Sequence, residues 1–225
     1  ERRGHEVSGV DLRHGPDLRV VRADIGDMRQ LEAGLRRAIP EYVYHLAAEF
    51  GRLNGEEDYE QVWRSNVIGT RNILEAQRAF GSRLIFASSS EIYGDCRAPG
   101  LEEGLSDRMP LRQLNDYAIS KWVNEQQIMN FEARHGNQVL RLRLFNAYGP
   151  GEHYHPYRSV VCLFAWRALH GQPYTVFRNY HRVFMYIDDL IPTLANACER
   201  FQAGRVVNVG GVEYRSVEDL SRIVL

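Results

Sequence analysis

Two side chains in the middle of the sequence, Tyr117 and Lys121, are spaced for acid–base chemistry. Because they are four residues apart, they lie on one face of a helix. An ammonium group beside a phenol favours the phenolate, which makes a weak base usable near neutral pH. A serine hydroxyl at a strand end can share the same substrate hydroxyl. Together these groups suit hydride transfer from an alcohol.

A serine cluster precedes this pair in the sequence. Residues 88–94, SSSEIYG, follow an apolar run over residues 83–87 that predicts a strand. A Tyr-x-x-x-Lys spacing alone is weak evidence, since many surface helices carry one. Here it follows a serine cluster at a strand end, in a chain of alternating strands and helices, and this combination indicates an active site.

These stretches and three others resemble the extended short-chain dehydrogenase/reductase family, in its NAD-dependent nucleotide-sugar epimerase/dehydratase branch. The other three are YHLAA at 44–48, RLFNAYGP at 143–150 and YIDD at 186–189. The resemblance runs from the first residues to the last. It implies NAD as the cofactor, a nucleotide-diphosphate sugar as the substrate, a homodimer and a cytoplasmic location.

The resemblance assigns the catalytic roles residue by residue. Counted back from Tyr93, Ser89 occupies the position of the catalytic serine or threonine. Tyr117 is the proton acceptor, and Lys121 lowers its pKa. The same tyrosine and lysine also contact the cofactor.

Glu91 decides between reactions within the family. In 4-epimerases a small or hydroxyl residue usually stands there, and the enzyme oxidises C4, turns the keto-sugar and reduces it again. The 4,6-dehydratases and glucuronate decarboxylases have Glu, which can remove a C5 proton acidified by the 4-ketone. Ser90 matches GDP-mannose-type dehydratases and decarboxylases, and we assign it to substrate binding. We therefore favour 4,6-dehydration, with decarboxylation or 4-epimerisation, where Glu91 would bind substrate or be solvated, as alternatives.

Asp11 follows a strand predicted over residues 5–10. A carboxylate there can accept hydrogen bonds from both hydroxyls of an adenosine ribose, and it would repel a 2′-phosphate, which favours NAD over NADP. Arg13 could instead accommodate that phosphate, and Asp11 could simply be a turn residue.

Further cofactor contacts follow from the resemblance. Asp24 and Ile25 lie against the adenine, although this stretch also provides an N-cap for the helix predicted over 28–38. The small Ala47 and Ala48 let the cofactor approach the backbone closely. The remaining two residues assigned to this site are Leu46 and Phe145.

The substrate contacts are also implied by resemblance. Asn146 holds the diphosphate-sugar portion, and Arg182 grips the nucleotide diphosphate, because a planar guanidinium suits phosphate oxygens. A solvated side chain is the alternative for Arg182. His153 and His155 form a His-x-His pair without a third ligand nearby in sequence, so we expect no metal site.

The composition limits the classes of partner that we expect this chain to bind. The chain has 225 residues, a formal net charge of -1 and 25% charged residues, which argues against a general nucleic-acid or anionic-membrane binder. The longest apolar run, residues 160–166, is too short to span a bilayer. We therefore expect no nucleic acid and no membrane partner. Three scattered cysteines, Cys96, Cys162 and Cys198, fit a reducing cytosol.

Local patterns predict the elements. Strands are predicted over 5–10, 18–21, 42–46, 83–87, 138–144, 174–177 and 206–209. Helices are predicted over 28–38, 58–80, 159–170 and 188–200, after Asn115 as a cap, and after Ser216 with Asp219. Residues 99–110 are predicted to be a loop. Asn66, within the second helix, is expected to be a structural hydrogen-bonder that steadies the active-site backbone.

The fold class is α/β, a Rossmann-type doubly wound parallel sheet with a smaller, interleaved substrate-binding lobe. We assign residues 1–147 to the dinucleotide-binding domain and 148–225 mostly to the lobe, with segments returning to the sheet. Residues 1–4 are predicted to end a helix, so we expect the first strand and its Gly-x-x-Gly-x-x-Gly loop, which this sequence lacks, to precede Glu1. Without that loop, a non-catalytic nucleotide-sugar binder is the alternative from another class of function.

Overall fold

The computed structural model of the chain describes residues 4–13, 15–96 and 100–225. The predicted helix end at residues 1–4 falls mostly outside these ranges, and so does Pro99 at the start of the predicted loop.

Parallel strands form the centre of the molecule. The first two, β1 (Gly9–Asp11) and β2 (Val20–Arg22), pair with each other. Four more form a parallel sheet, and in chain order these are β3 (Tyr42–His45), β4 (Arg83–Ser89), β5 (Val139–Leu144) and β8 (Val206–Val209). Neighbours in this sheet are neighbours in that list, and all three pairs are parallel, as the alternating sequence predicted.

Helices connect and cover the strands. They are α1 (Met28–Ala38), α2 (Arg52–Glu57), α3 (Tyr59–Val62), α4 (Gly69–Phe80), α5 (Leu105–Arg108), α6 (Asp116–His135), α7 (Val160–Leu169), α8 (Ile187–Glu199) and α9 (Val217–Val224). A π-helical turn, Trp63–Ile68, joins α3 to α4, and a 3-10 turn, Ser90–Tyr93, follows β4. Such π-helical turns occur frequently at functional sites.

Apolar side chains cover both faces of the central sheet. Phe86 packs with Leu31, Leu74 and Ile128 on one face, where α1, α4 and α6 lie. Ile85, its neighbour along β4, packs on the other face in a cluster that includes α8. Successive strand residues point to opposite faces, so the middle of β4, residues 84–87, must be apolar at every position, and this stretch is typical of a strand covered on both sides.

A smaller sheet lies in the second half of the chain. Its strands are β6 (Asn146–Tyr148), β7 (His181–Tyr186) and β9 (Tyr214–Ser216). The first pair is parallel and the second pair antiparallel. A third apolar cluster, built on Phe164, Val217 and Leu220, packs α7 against α9.

Side-chain caps start three helices where the sequence predicted them. Asp27, Asn115 and Ser216 each accept a hydrogen bond from a backbone N–H two or three residues later. Such a bond satisfies a donor that the first helical turn leaves unpaired, which fixes where each helix begins. For Asn115 this determines the start of the helix that carries Tyr117 and Lys121.

Three predicted elements differ from the structure. The strand predicted over 174–177 is wrong: Tyr174 and Val176 do face the third cluster, but no strand pairs with them among the described residues. The predicted loop over 99–110 contains the short helix α5. The helix predicted over 58–80 is interrupted by the π-helical turn, because periodicity does not reveal how the backbone bonds inside a helix.

Within the described residues, no helix combines the length and the apolar character needed to cross a bilayer.

Candidate active site

The carboxyl end of β4 and the first turn of α6 bring the predicted catalytic residues together. Ser89 is buried at the end of β4, and its hydroxyl accepts a hydrogen bond from the backbone N–H of Glu91 at 3.2 Å, which starts the 3-10 turn. Ser89 also lies close enough to the Tyr117 phenol to act on its pKa. The structure therefore brings the predicted serine and tyrosine into one neighbourhood.

The pKa of Tyr117 moves in the direction opposite to the prediction. Burial raises it to about 12, while the hydrogen bond from Ser89 opposes this rise and the Glu91 carboxylate adds to it. The sequence predicted a pKa held down by Lys121. The net direction differs because the prediction considered only the neighbouring charge, whereas loss of solvent disfavours the phenolate more strongly here; the effect of Lys121 on this phenol stays a prediction.

Lys121 shares the helix face of Tyr117, as predicted, and is buried. Its Nζ donates to the backbone carbonyl of Ala87 on β4 at 2.9 Å and lies 5.0 Å from the centre of the Phe86 ring. Burial lowers the pKa of Lys121 to about 8, and the carboxylate of Glu125 opposes this shift. Lys121 is also the single lysine among the 28 Lys and Arg residues of the sequence.

Glu91 is held by an arginine that the sequence analysis missed. Arg52 donates from Nε and Nη2 to the two oxygens of Glu91, each at 2.9 Å. The amide of Asn115 lies 3.4 Å from the same carboxylate. Arg52 belongs to no motif, and its one signal was its position shortly after the end of β3, where an α/β sheet places its ligand crevice.

Arg182 lies near this pair. It is partly buried on β7, and its pKa is lowered by burial and by the like charge of Arg52, while Glu91 opposes the shift. One guanidinium group therefore pairs with the Glu91 carboxylate, and a second lies within electrostatic range of both. The local excess of positive charge suits an anionic group on a ligand.

Two glycines allow α2 to pack closely enough to place Arg52 beside Glu91. A Cβ at Gly55 would lie 2.9 Å from the backbone nitrogen of Tyr117, so α2 packs directly on the first turn of α6. A Cβ at Gly51 would lie 2.9 Å from the carbonyl oxygen of Tyr157, and Gly51 has a φ of 94°. Both positions require glycine, since a side chain would push α2 away.

Asn66 steadies the segment that precedes α2, as predicted. Its Oδ1 accepts from the backbone N–H of Glu49 at 2.8 Å, and its Nδ2 donates to the carbonyl of Glu49 at 3.0 Å. Nδ2 also donates to the Ser120 hydroxyl at 2.9 Å. One buried amide on the π-helical turn thus ties this segment to α6.

The predicted cofactor residues occupy two strand ends. Asp11 is exposed at the end of β1, and its Oδ1 accepts a hydrogen bond from the N–H of Arg13 at 2.8 Å, which is the geometry of a turn residue, the alternative given above. Leu46 and Ala47 are exposed after β3, and Ala48 is partly buried. These side chains leave a carboxylate and an apolar surface available at the carboxyl ends of the strands.

Asp24 and Ile25 make contacts within the protein. Asp24 pairs with Arg64 at 2.9 Å and accepts from the N–H of Gly26 at 2.8 Å. Ile25 is buried against Gly69, where a Cβ would lie 2.6 Å from its Cδ1. The N-cap of α1 comes from the same stretch and is Asp27.

The remaining predicted residues lie around β5, β6 and the 3-10 turn. The Phe145 ring lies against Gly210, where a Cβ would come within 2.9 Å of it. Asn146 donates from Nδ2 to the carbonyl of Val183 at 2.9 Å, which links β6 to β7 and commits its amide nitrogen to the fold. Ser90 is partly buried beside Glu91. His153 and His155 are exposed, and among the described residues no three His, Cys, Asp or Glu side chains are grouped to hold a metal.

The sequence matches the model of the NAD dependent epimerase/dehydratase family over residues 1–210. The chain belongs to this family. The resemblance stated from its motifs is therefore confirmed, and the α/β fold agrees with it.

Two curated relatives are sugar-nucleotide decarboxylases. UDP-N-acetyl-alpha-D-glucosaminuronate decarboxylase of Bacillus cytotoxicus is 31% identical over 185 residues, which cover 80% of this chain and 57% of the relative. UDP-glucuronic acid decarboxylase 1 of Xenopus tropicalis is 31% identical over 185 residues, covering 81% and 44%. The chain spans about half the length of these relatives.

A solved structure of an epimerase has the same fold. UDP-glucose 4-epimerase of Thermus thermophilus, in complex with NAD, superposes with a TM-score of 0.87 at 29% identity. The match covers 99% of this chain and 75% of that protein. The Rossmann-type architecture expected from the sequence is confirmed.

Proposed function

We propose that the protein containing this chain is an NAD-dependent enzyme that oxidises the sugar of a nucleotide-diphosphate sugar at C4 and then acts at C5. Ser89, Tyr117 and Lys121 support the first step, because they meet at the carboxyl end of β4, where α/β sheets bind their ligands. Membership of an NAD-dependent family supports the cofactor.

NAD fits the residues at the strand ends. Asp11 offers an exposed carboxylate for the adenosine ribose, and the exposed Leu46 and Ala47 offer an apolar surface. The further residues that we assign to the cofactor are Asp24, Ile25, Ala48, Tyr117, Lys121 and Phe145. When bound, NAD supplies the oxidant for the C4 alcohol.

Side chains of the protein bind the C4 hydroxyl and accept its proton. Ser89 and Tyr117 bind the C4 hydroxyl, and the Tyr117 phenolate takes its proton while the Lys121 ammonium stabilises that phenolate. The active state therefore needs Tyr117 deprotonated and Lys121 protonated. With a pKa of about 12 for the tyrosine and about 8 for the lysine, the active fraction rises with pH, levels off above about 8 and falls only at very high pH.

The observation that carries our choice of the later step is the pairing of Arg52 with Glu91 near Arg182. Both oxygens of Glu91 already accept from Arg52, so Glu91 must leave this pair before it can take a C5 proton. The excess guanidinium suits a carboxylate at C6, next to C5. We therefore favour decarboxylation of a nucleotide hexuronate.

The decarboxylation needs no reactant other than the substrate, the cofactor and a proton. A ketone at C4 makes the C6 carboxylate a β-keto acid, and the C5–C6 bond breaks with release of carbon dioxide. C5 takes a proton, and the hydride removed from C4 in the first step would be returned to C4, so the cofactor would end in its starting oxidation state. Relatives that act on uronic acids support this choice.

The second candidate is the predicted 4,6-dehydration. Glu91 supports it, because its carboxylate lies close enough to Tyr117 to raise the pKa of the phenol. Here Glu91 would remove the C5 proton, water would leave from C6, and C6 would be reduced.

Product analysis tests these choices. The full-length protein with NAD is incubated separately with UDP-glucuronate, UDP-glucose and GDP-mannose in deuterated water. Carbon dioxide and a nucleotide pentose from the uronate support decarboxylation, and a 4-keto-6-deoxy sugar supports dehydration. A C4-inverted sugar without deuterium at C5 means 4-epimerisation instead. If the protein neither binds NAD nor turns over any of these sugars, it is a non-catalytic binder and the proposal is wrong.

We also propose the homodimer that the resemblance implies. Exposed apolar side chains on the π-helical turn and α6, among them Trp63, Ile68 and Met129, offer surface for an interface. Light scattering on the full-length protein checks the mass, and a monomer at micromolar concentration would contradict the dimer. The cytoplasmic location stays a prediction.

A further inference from the structure

A third polar residue extends the helix face that carries the proposed catalytic pair. Tyr117, Lys121 and Glu125 follow one another at four-residue intervals along α6. Lys121 is 4% exposed and Glu125 only 1% exposed. The chemistry proposed above uses the first two residues and gives Glu125 no role, although a buried carboxylate is costly unless it is paired.

Glu125 is fixed to β4 beside the point where Lys121 is fixed. Its Oε1 accepts from the Ser88 hydroxyl at 2.5 Å, while Lys121 donates to the carbonyl of Ala87. Two side chains one helical turn apart therefore bind to consecutive residues of the strand. This double attachment holds Lys121 at a set distance from the site.

Arg143 on β5 completes the charge pair. Its Nε and Nη2 donate to the two oxygens of Glu125 at 3.0 and 2.8 Å, and the side chains of both residues are 1% exposed. Nη1 donates to the Tyr93 hydroxyl and to the carbonyl of Glu103, both at 2.9 Å. A buried pair with its remaining donors satisfied is fixed in place, because removing either partner leaves an unpaired charge.

The titratable groups around Lys121 and its partner Glu125 come from three elements, and they do not all carry the same charge. Its own helix contributes Glu125, and β3 contributes His45, which burial keeps neutral by lowering its pKa to about 3. Arg143 and Arg141, from β5, face Glu125, the latter at 3.9 Å. Among these residues Glu125 is the source of negative charge that opposes the effect of burial on Lys121.

We propose that Glu125 is a positioning residue for the reaction: paired with Ser88 and Arg143, it holds Lys121 against β4 and supplies the negative charge that keeps Lys121 an ammonium. The inference rests on the role proposed above for Lys121. It concerns a residue that is only 1% exposed and would act only through Lys121.

The pH profile separates this role from a structural one. Activity needs the Tyr117 phenolate with the Lys121 ammonium, so at low pH, where Lys121 is fully charged, its pKa does not affect the rate. In Glu125→Gln we expect little change near pH 6 and a plateau lower by about tenfold for each unit that the lysine pKa falls. The start of the plateau also moves to lower pH. Glu132→Gln, on the same helix, is the matched control and should leave the profile unchanged.

Two outcomes overturn the inference. A Glu125→Gln profile lowered by one factor at every pH means a structural role, and an unchanged profile means no role. If Glu125→Gln does not fold because Arg143 is left unpaired, the double variant Glu125→Gln/Arg143→Gln removes both charges and is measured in the same way.

A titration without turnover keeps this test separate from the proposed function. The NMR signal of the Lys121 Cε is followed with pH in the full-length protein labelled on lysine, and it is assigned by its loss in Lys121→Arg. We expect its midpoint to fall in folded Glu125→Gln and to stay in Glu132→Gln. An unmoved midpoint refutes the inference even in an active enzyme, whereas a lowered midpoint in an inactive protein supports it while the proposed function fails.

Discussion

Two ion pairs flank the candidate active site, and they differ in how deeply each is buried. On the side of β5, Glu125 and Arg143 are both buried, and every hydrogen bond around them is to a fixed part of the fold. On the side of α2, Glu91 and Arg52 form an equally direct pair, but their side chains are 24% and 45% exposed. Arg182 adds a second cation beside the exposed pair.

The difference indicates what each pair can do. A buried, fully bonded pair cannot exchange partners without leaving a charge unsolvated, so it suits a fixed electrostatic role. An exposed pair with an excess cation loses little when water or a ligand replaces one partner, since surface ion pairs contribute only about 0–1 kcal/mol. We therefore expect the first to position Lys121 and the second to admit a substrate anion.

The largest effect should come from the residue between the two pairs. Tyr117→Phe removes the proton acceptor, and we expect turnover by the full-length protein to fall by about a hundredfold or more while the fold is kept. Steady-state kinetics measures this, with circular dichroism as the check on folding. The exposed Tyr59→Phe is the control. A folded Tyr117→Phe variant with near-normal turnover would falsify the assignment.

The exposed pair should discriminate between substrates. Arg52→Gln removes a guanidinium that we expect to bind the C6 carboxylate, and a hydrogen bond to a charged group contributes about 1.5–3 kcal/mol. Binding of UDP-glucuronate should weaken by about tenfold to a hundredfold, and binding of UDP-glucose much less. Calorimetry on the NAD-loaded protein measures both. Arg71→Gln removes a surface pair with Glu75 and is the control. Equal losses for the two sugars would show that Arg52 does not read the carboxylate.

The pKa values of Tyr117 and Lys121 determine how we expect kcat/KM to depend on pH. Because the Tyr117 pKa is about 12 and the Lys121 pKa about 8, kcat/KM should rise about tenfold per pH unit below about 8 and then level off. The sign follows from the base, since the phenolate fraction increases with pH until Lys121 begins to lose its proton. Initial rates from about pH 6 to 10 test this. A rate that is level from pH 6 to 8 contradicts it and indicates a Tyr117 pKa lowered toward neutrality.

The smallest expected effect is on stability, and it comes from the packing of α2 against α6. Gly55→Ala places a Cβ 2.9 Å from the Tyr117 nitrogen, and we expect overpacking to destabilise the protein by about 1–3 kcal/mol. Chemical denaturation measures the free energy of unfolding. Gly15→Ala, where a Cβ meets nothing within 4 Å, is the control and should be nearly neutral. If Gly55→Ala is as stable as the control, α2 is not tightly packed on α6, and Arg52 is less firmly positioned than we infer.

The sequence by itself determined most of the local structure and the placement of the proposed catalytic pair. Caps and apolar periodicity fixed the start of α6, and the four-residue spacing placed Tyr117 and Lys121 on one face, because both depend on neighbours within a helical turn. The parallel order of the central strands followed from their alternation with helices. Where periodicity was the sole guide, as over residues 174–177, the prediction was wrong because a strand also needs a partner.

The tertiary structure alone decided the electrostatics. Arg52 and Glu91 are 39 residues apart, and Glu125 and Arg143 are 18 apart, so no spacing rule predicts that they meet. The direction of the Tyr117 pKa depends on how much solvent its neighbours exclude, and the sequence does not state that quantity. Motifs give the identity of reacting groups, whereas burial and long-range pairing set their charge, and these exist only once distant segments are packed together.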